Sequence, residues 1–369
     1  MKKVLIFGVK VHPIGGVENV VMSYTRRLSK DIICDYVMFG ADSPFEEEIK
    51  ARGGKVFYLP NRVKHKAAYK KAFNRVLREG GYDAVWGNYS GLTNIDLLKL
   101  GKKHRVPVRI AHSHACALTW GNPIMRFLVP LFHYMNKGAI AEYATHFWAC
   151  SKEAGEFMFP KRVQDKLEIV NNAIDIADFC PDAAKRKAKR EELGVDDKFV
   201  VGHIARMSEE KNQFFMLDVF REFLKSKPEA RLLFVGSGDI EGALKAKAEA
   251  DGLGEKVLFQ GFRTDVADYH RAADVFLFPS IVEGLGLSLI EAQACGVPCV
   301  ASANVPRTAD ISGCVDFVGL DEPIELWCRA LHNMGEKAIC EPEEKVRKAN
   351  FDINEEAAKM SSFFKGENL

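Results

Sequence analysis

Short apolar runs of strand length alternate with stretches of helical composition along almost the whole chain. This rhythm constrains the fold more than any other feature. In the first part the runs are "KVLIFGV" (3–9), "KVFYLP" (55–60), "DAVWG" (83–87), "VPVRIAHSH" (106–114) and "HFWACS" (146–151). The second part repeats it with "KFVVGHIAR", "ARLLFVGSG", "KVLFQGF", "DVFLFPS" and "VPCVAS". Strands that alternate with helices join through crossovers, which gives parallel sheets with helices on their faces. Between the two series, "IADFCPDAAKRKAKREELGVDD" (176–197) is polar, carries a proline and reads as a linker with a helical end. The length of 369 residues suits two domains of ordinary size. The expectation is therefore an α/β protein of two Rossmann-like parallel-sheet lobes, residues 1–178 and 179–348. The closing "FDINEEAAKMSSFF" (351–364) has apolar residues at helical spacing and no strand after it.

Within the second lobe, "FLFPSIVEGLGLSLIEAQACGVPCVAS" (276–302) carries Glu283 and Glu291 into an otherwise apolar run. "DVFLFPS" reads as a buried parallel strand ending at Pro279. Gly284 and Gly286 permit a tight loop, "LSLIEAQAC" has helical composition, and Gly296 and Pro298 stop it. This is a strand, loop, helix and strand in succession. Glu283 then lies beyond the carboxyl end of a strand, where ligands of doubly wound sheets bind. Glu291 falls about two turns into the helix. Local pattern alone also allows an exposed Glu291 and a Glu283 that merely suits the helix dipole.

Both lobes begin with a strand, a loop and a helix. In the first, "HPIGGVENVV" sets Gly15 and Gly16 at a helix start, where backbone N–H groups can approach an anion. In the second, "GHIARMSEEKNQ" places Arg206 and Lys211 about the strand-to-helix turn, able to hold a diphosphate from two sides. The alternative is an ion pair of these cations with Glu209 or Glu210, worth little at a surface. "FVGSGDIE" has G-x-G without its completion, which weighs against a nicotinamide or flavin dinucleotide. The chain has no G-x-x-x-x-G-K-[ST] and no Asp-x-Asp to hold a metal on a diphosphate, so positive side chains would have to take that part.

The net charge is only +2 and gives no bias toward nucleic acid, but its distribution is uneven. Residues 1–178 hold 27 Lys/Arg against 17 Asp/Glu, and the remainder 25 against 33. The densest basic stretch is "NRVKHKAAYKKAFNRVLRE" (61–79), which suits an anionic membrane surface or a solvated helix face. Nine cysteines without a C-x-x-C pair read as reduced core residues of a cytoplasmic protein. The apolar run at the start is too short for a signal peptide, and no window approaches a spanning helix. The nearest, "IMRFLVPLFHYM" (124–135), contains Arg126, Pro130 and His133. Core packing is the first expectation for it, with an apolar groove or a membrane surface as the alternatives.

Taken together, Gly15-Gly16, Arg206…Lys211 and Glu283-x7-Glu291 within "EGLGLSLIEAQACG" resemble the retaining GT-B-fold glycosyltransferases of the family 4 kind. "IAHSH", "ARMSEEKNQFF" and "ELWCRALHN" look like the branch that builds capsular and other extracellular polysaccharides. The resemblance implies two lobes facing a central cleft, the first on the acceptor side and the second binding the nucleotide sugar. It implies a C-terminal helix, residues 349–369, that packs back on the first lobe. Arg206 and Lys211 match the pair on the donor diphosphate, Glu291 the carboxylate on the ribose hydroxyls, and Glu283 the one on the donor sugar. The backbone from Gly284 through Leu285 and Gly286 to Leu287 matches the segment near sugar and phosphate. Gly16 matches the first-lobe glycine facing the diphosphate, and the backbone of Arg263 in "GFRTDV" the reader of the base edge. His112 matches a histidine near the reacting face of the sugar, with His114 as second candidate.

Two segments depart from the family pattern. "GNYSG" (87–91) stands where many members carry a histidine-rich strand end, which leaves Asn88 with other acceptor work. Val305-Pro306-Arg307 replaces a common glycine pair, so that loop does not indicate the donor sugar.

The implied reaction is transfer of a hexosyl unit, with retention, from a nucleoside-diphosphate sugar to an acceptor hydroxyl. A UDP-sugar is the expected donor and a glycan or lipid-linked glycan the expected acceptor. No cofactor, metal or nucleic acid takes part. The expected place is the cytoplasm or the inner face of the cell membrane. The rivals are a sugar-nucleotide epimerase of the same architecture and a nucleotide-sugar-binding protein without turnover.

Overall fold

The computed structural model describes residues 1–11, 16–118, 123–337 and 342–367. It divides into two compact units, one of Met1–Ala173 with Ile353–Leu369 and one of Ile174–Asp352. The first unit holds β1 (Lys2–Phe7), β2 (Ile32–Met38), β3 (Val56–Tyr58), β4 (Ala84–Tyr89), β5 (Val108–Ser113), β6 (His146–Ala149) and β7 (Leu167–Ile169). They lie side by side in the order β3-β2-β1-β4-β5-β6-β7. The second unit holds β8 (Val200–Ile204), β9 (Arg231–Val235), β10 (Val257–Phe259), β11 (Val275–Phe278), β12 (Cys299–Ser302) and β13 (Val315–Val318), ordered β10-β9-β8-β11-β12-β13. All the strand pairings are parallel. Each unit is thus a doubly wound α/β sheet of the Rossmann kind.

The central strands are apolar on both faces because helices cover both. Every residue of β4, β8 and β11 is buried. In the second unit, Leu217, Phe220, Trp327 and Leu331 pack in one apolar cluster, while Tyr269, Phe276, Leu289 and Ala292 pack in another.

Three strands lie outside the apolar runs of the sequence. β2 contains Asp35, only 2% exposed, which breaks its apolar reading. That carboxylate accepts the Lys55 N–H and the Tyr82 hydroxyl, 2.8 Å each, so the buried charge is held by hydrogen bonds. β7 and β13 are edge strands whose residues are mostly half-buried or exposed.

The polar stretch that reads as a linker with a helical end does carry that helix, Ala183–Leu193. It packs on the helix Val266–Ala272. Arg190 donates to Ala272 O at 2.8 Å and pairs with Asp274 at 3.1 Å, and Lys189 pairs with Asp265 at 2.9 Å. Its charges serve the fold, which composition alone hides. Among the described residues seven cysteines are free thiols, but Cys314 is disulfide-bonded, a correction to the reduced reading. A pairing without C-x-x-C spacing leaves no mark in a sequence.

Residues 124–135 fall in a helix, Pro123–Tyr143, which buries Ile140 but leaves most of its described large apolar side chains exposed. Phe127, Leu131, Phe132, Tyr134 and Met135 are all exposed, while His133 is buried and its Nδ1 accepts the Leu92 N–H at 3.2 Å. Core packing, the first expectation, does not hold there. No helix among the described residues is long and apolar enough to cross a membrane.

The last helix, Ile353–Lys365, packs on the helix Gly16–Arg27. It buries Ile353, Ala357, Met360 and Phe364, and the Phe364 ring lies 6.3 Å from Trp86 and 6.2 Å from Trp148. Truncating this ring opens a cavity against two tryptophans. Phe364→Ala is expected to cost about 3–4 kcal/mol, read as an earlier denaturant midpoint. A midpoint equal to that of the parent would mean that the helix adds little to the unit.

Candidate functional site

In the second unit β8 and β11 are neighbours, paired at Val201–Val275 and Gly202–Phe276, although two strands and three α-helices separate them in sequence. Here the strand order reverses, so the chains leaving β8 and β11 diverge to opposite faces and open a crevice at their carboxyl ends. Arg206 and Lys211 follow β8, and Glu283 follows β11.

The loops around this crevice are fastened to one another. Met207 N–H donates to Ser237 O at 3.0 Å, Gly236 N–H to Gly261 O at 2.8 Å and Ile281 N–H to Glu210 O at 2.9 Å. Asn212 Nδ2 reaches Pro279 O at 3.2 Å, and Ser288 Oγ reaches Ile204 O at 2.6 Å. Gly236 has φ +130° and would bring a Cβ within 2.1 Å of Ala205 O, so only glycine lets these loops close. Gly286, with φ +90°, starts the helix Leu287–Ala294.

Lys211 Nζ lies 2.5 Å from Glu283 Oε1, with side chains only 20% and 9% exposed, and 5.6 Å from the centre of the Phe278 ring. This pair is largely removed from water, which strengthens its attraction. Arg206 is more open, at 57%, and pairs with Glu210 at 2.5 Å. Burial works to raise the Glu210 pKa, but its own backbone N–H and Arg206 outweigh burial and hold it below the usual range. The ion-pair alternative from the sequence therefore holds for Arg206 in the unliganded chain.

Glu291 is the fifth residue of its helix, about one turn in rather than two. Its Oε2 lies 3.4 Å from His270 Nε2, a buried partner that the sequence did not suggest. Gly284 and Leu287 are half-buried and Leu285 is buried, in the segment between the two carboxylates. Arg263 is exposed in the loop after β10, next to an exposed Phe262. In place of the common glycine pair, Val305 is buried and Arg307 stacks over the Phe317 ring at 3.9 Å. Among the described residues no group of three His, Cys, Asp or Glu could hold a metal ion.

In the first unit, Gly16 opens the helix Gly16–Arg27 and has no atom within 4 Å of a would-be Cβ, while Gly15 lies outside the described residues. His112 is fully buried on β5, where its Nδ1 accepts the Trp86 indole N–H at 3.3 Å. His114 lies beside it, ring centres 4.0 Å apart, half-buried with its Nδ1 out of reach of water. Its Nε2–H donates to Asn88 Oδ1 at 2.9 Å, and Asn88 Nδ2 donates to Phe7 O at 3.2 Å. Both ends of the buried Asn88 amide are thereby engaged. Burial lowers the His112 pKa well below the usual value and the His114 pKa to about 4, so both rings are neutral near pH 7.

Residues 185–313 match the family Glycosyl transferases group 1, and residues 14–178 match Glycosyltransferase Family 4. "Putative glycosyltransferase EpsF" of Bacillus subtilis is 29% identical over 326 residues, covering 86% of this chain and 84% of the relative. The Escherichia coli UDP-Gal:alpha-D-GlcNAc-diphosphoundecaprenol alpha-1,3-galactosyltransferase is 30% identical over 141 residues, 37% of this chain and 36% of that one. Anabaena HepE, solved in complex with UDP and glucose, superposes with a TM-score of 0.77 at 19% identity, covering 99% of this chain and 100% of that one. The fold is GT-B.

Beneath the crevice, His203 connects the site to the core. It is buried beside Phe276, its Nδ1–H donates to Leu277 O at 2.9 Å, and its Nε2 accepts from Gln213 Nε2 at 3.3 Å. Gln213 Nε2 also donates to Arg206 O at 2.9 Å. Burial lowers the His203 pKa to about 3. The folded value lies below the unfolded one, so the contribution to stability is full above about pH 6.5 and is lost as pH falls toward 3. Between pH 7 and pH 5 the second unit should lose about 2 kcal/mol on this account. Urea titrations at the two pH values measure the loss, and His203→Gln, with nothing to charge, should flatten it. An equal loss in the variant would contradict a neutral buried ring.

Proposed function

We propose that this protein, a glycosyltransferase of the GT-B type, moves a hexosyl unit from a UDP-sugar to an acceptor hydroxyl and retains the anomeric configuration. The observation that carries the reading is the meeting of Arg206, Lys211 and Glu283 at the β8–β11 crevice. A nucleotide sugar has hydroxyls at both ends of a dianion, and carboxylates are strong acceptors for hydroxyls. Glu283 takes the sugar, Glu291 the ribose and the Arg263 backbone the base edge. On binding, Arg206 exchanges Glu210 for the diphosphate and Lys211 shares its charge with it. The bond between the anomeric carbon and the diphosphate oxygen breaks, the acceptor oxygen bonds to that carbon, and its proton passes to the departing diphosphate. The two cations stabilise the charge that develops there. UDP as the nucleotide is supported by the printed names of the galactosyltransferase relative and the HepE complex.

Free UDP should appear only when acceptor is present, which separates transfer from epimerisation and from binding without turnover. Arg206→Ala removes an exposed, charge-assisted contact, on the order of 1.5–3 kcal/mol, and should slow transfer at least about tenfold with the fold intact. Lys211→Ala should do the same, but it also removes the Glu283 counter-ion and needs a melting curve beside it. Near-normal transfer by both variants would reduce the pair to surface charges.

Metal independence belongs to the same reading, since two cations stand where an Asp-x-Asp would hold a metal. Transfer should survive exhaustive chelation. If activity vanishes with chelator and returns with magnesium or manganese, the clamp does not act alone.

A lipid-linked acceptor in bacterial surface polysaccharide synthesis, met at the inner face of the cell membrane, accounts for the surface of the first unit. Phe127 and Met135 are exposed on the helix Pro123–Tyr143, and Lys64, Lys66, Lys70 and Lys71 are exposed at and near the start of the helix Lys66–Gly80. Sedimentation with anionic vesicles should carry the protein down, and less so as salt rises, since each basic contact contributes only about 1 kcal/mol. Replacing the four lysines with serine should weaken this binding and leave UDP affinity unchanged. Equal recovery in the supernatant with anionic and neutral vesicles would point to a soluble acceptor.

A further inference from the structure

The helix Val266–Ala272 places His270 behind Glu291. His270 is fully buried, with ring centres 5.1 Å from Phe276 and 6.2 Å from Phe179. Its Nε2 lies 3.4 Å from Glu291 Oε2, and its Nδ1 has no hydrogen-bond partner. Of the two ring nitrogens, Nε2 faces an acceptor, so Nε2–H donates to Oε2. Nδ1 is left without a partner, and an unsatisfied polar atom in an apolar setting is unfavourable. A phenylalanine or leucine would pack between Phe179 and Phe276 without that penalty, so packing does not explain a histidine. Its use lies on the Glu291 side.

We propose that His270 is a positioning residue for Glu291: by holding Oε2 it fixes the side chain so that Oε1 meets the ribose hydroxyls of the donor. This rests on the reading of Glu291 as the ribose acceptor. A glutamate has several rotatable bonds, and ordering them on binding subtracts from affinity unless a neighbour has fixed them already. The exposures suit this division. His270 is 0% exposed and meets no water, while Glu291 is 16% exposed and open to a ligand on its other side. The arrangement parallels the outer partners that orient metal-binding side chains.

Calorimetry on the full chain tests it with two probes, UDP and its 2′,3′-dideoxy analogue, which lacks the hydroxyls in question. Wild type should prefer UDP. His270→Phe, which keeps a flat aromatic ring but has no N–H, should lose about tenfold in UDP affinity, as for one hydrogen bond to a charged group, while its affinity for the analogue stays level. His270→Gln, whose amide N–H can reach the same carboxylate, should recover most of the loss. His270→Leu replaces the phenylalanine variant if the latter does not fold. In a Glu291→Gln background the His270 change should add nothing. A wild-type preference kept by His270→Phe, or equal losses for both probes, overturns the proposal and leaves the ribose role of Glu291 standing. If Glu291→Gln itself keeps the full preference for UDP, that role falls and the proposal falls with it.

Discussion

The parallel pairing of β8 with β11 is the constraint on which the rest of the second unit depends. The two strands are distant in sequence, yet their register brings the segment after one against the segment after the other. Each strand is too short and apolar to be stable alone, and each is buried on both faces by helices. Once they pair, their outgoing chains part to opposite sides of the sheet. Arg206, Lys211 and Glu283 meet at this point because of that topology and not through any local sequence feature.

Charge is then arranged against the cost of burial. Lys211 and Glu283 are 72 residues apart in sequence and share one contact in a setting with little water. Neither would be favourable there alone, and together they keep a strong field in place without a ligand. Arg206 is held more loosely, at the surface, by Glu210. On the proposed reading, a ligand with a dianionic centre and hydroxyls at its ends meets a site already charged and hydrogen-bonded, so that little reorganisation beyond the release of Arg206 from Glu210 remains. The buried His203 and Gln213 fasten the backbone of the same loop from below.

The architecture was largely legible in the sequence because central parallel strands are apolar on both faces and stand out as runs. β2 was obscured by Asp35, whose carboxylate is satisfied only by residues far along the chain. β7 and β13, as edge strands, have too little burial to be recognised. The helix Ala183–Leu193 is the helical end expected of the linker, but its packing was hidden because its buried arginine and lysine are paired with distant acidic residues. The exposed helix Pro123–Tyr143 misled in the opposite direction, since apolar composition does not say which side is covered. Within the site, Arg206, Lys211, Glu283 and Glu291 could be singled out from residue type and spacing. That Lys211 pairs with Glu283, and that His270 stands behind Glu291, are facts of packing with no local signal. Asn88 and His112 are engaged by Phe7 and Trp86, which spacing could not reveal.

The central claim is that a nucleoside diphosphate occupies the carboxyl ends of β8, β10 and β11 in the second unit. Hydrogen–deuterium exchange on the full chain, with and without UDP, tests it most directly, because bound ligand slows exchange where it stabilises local structure. The account predicts slowed exchange in residues 205–213, 261–264 and 281–291, with the outer helices of the second unit unchanged. Slowed exchange confined to other segments, or no change at UDP concentrations that saturate binding, would contradict it.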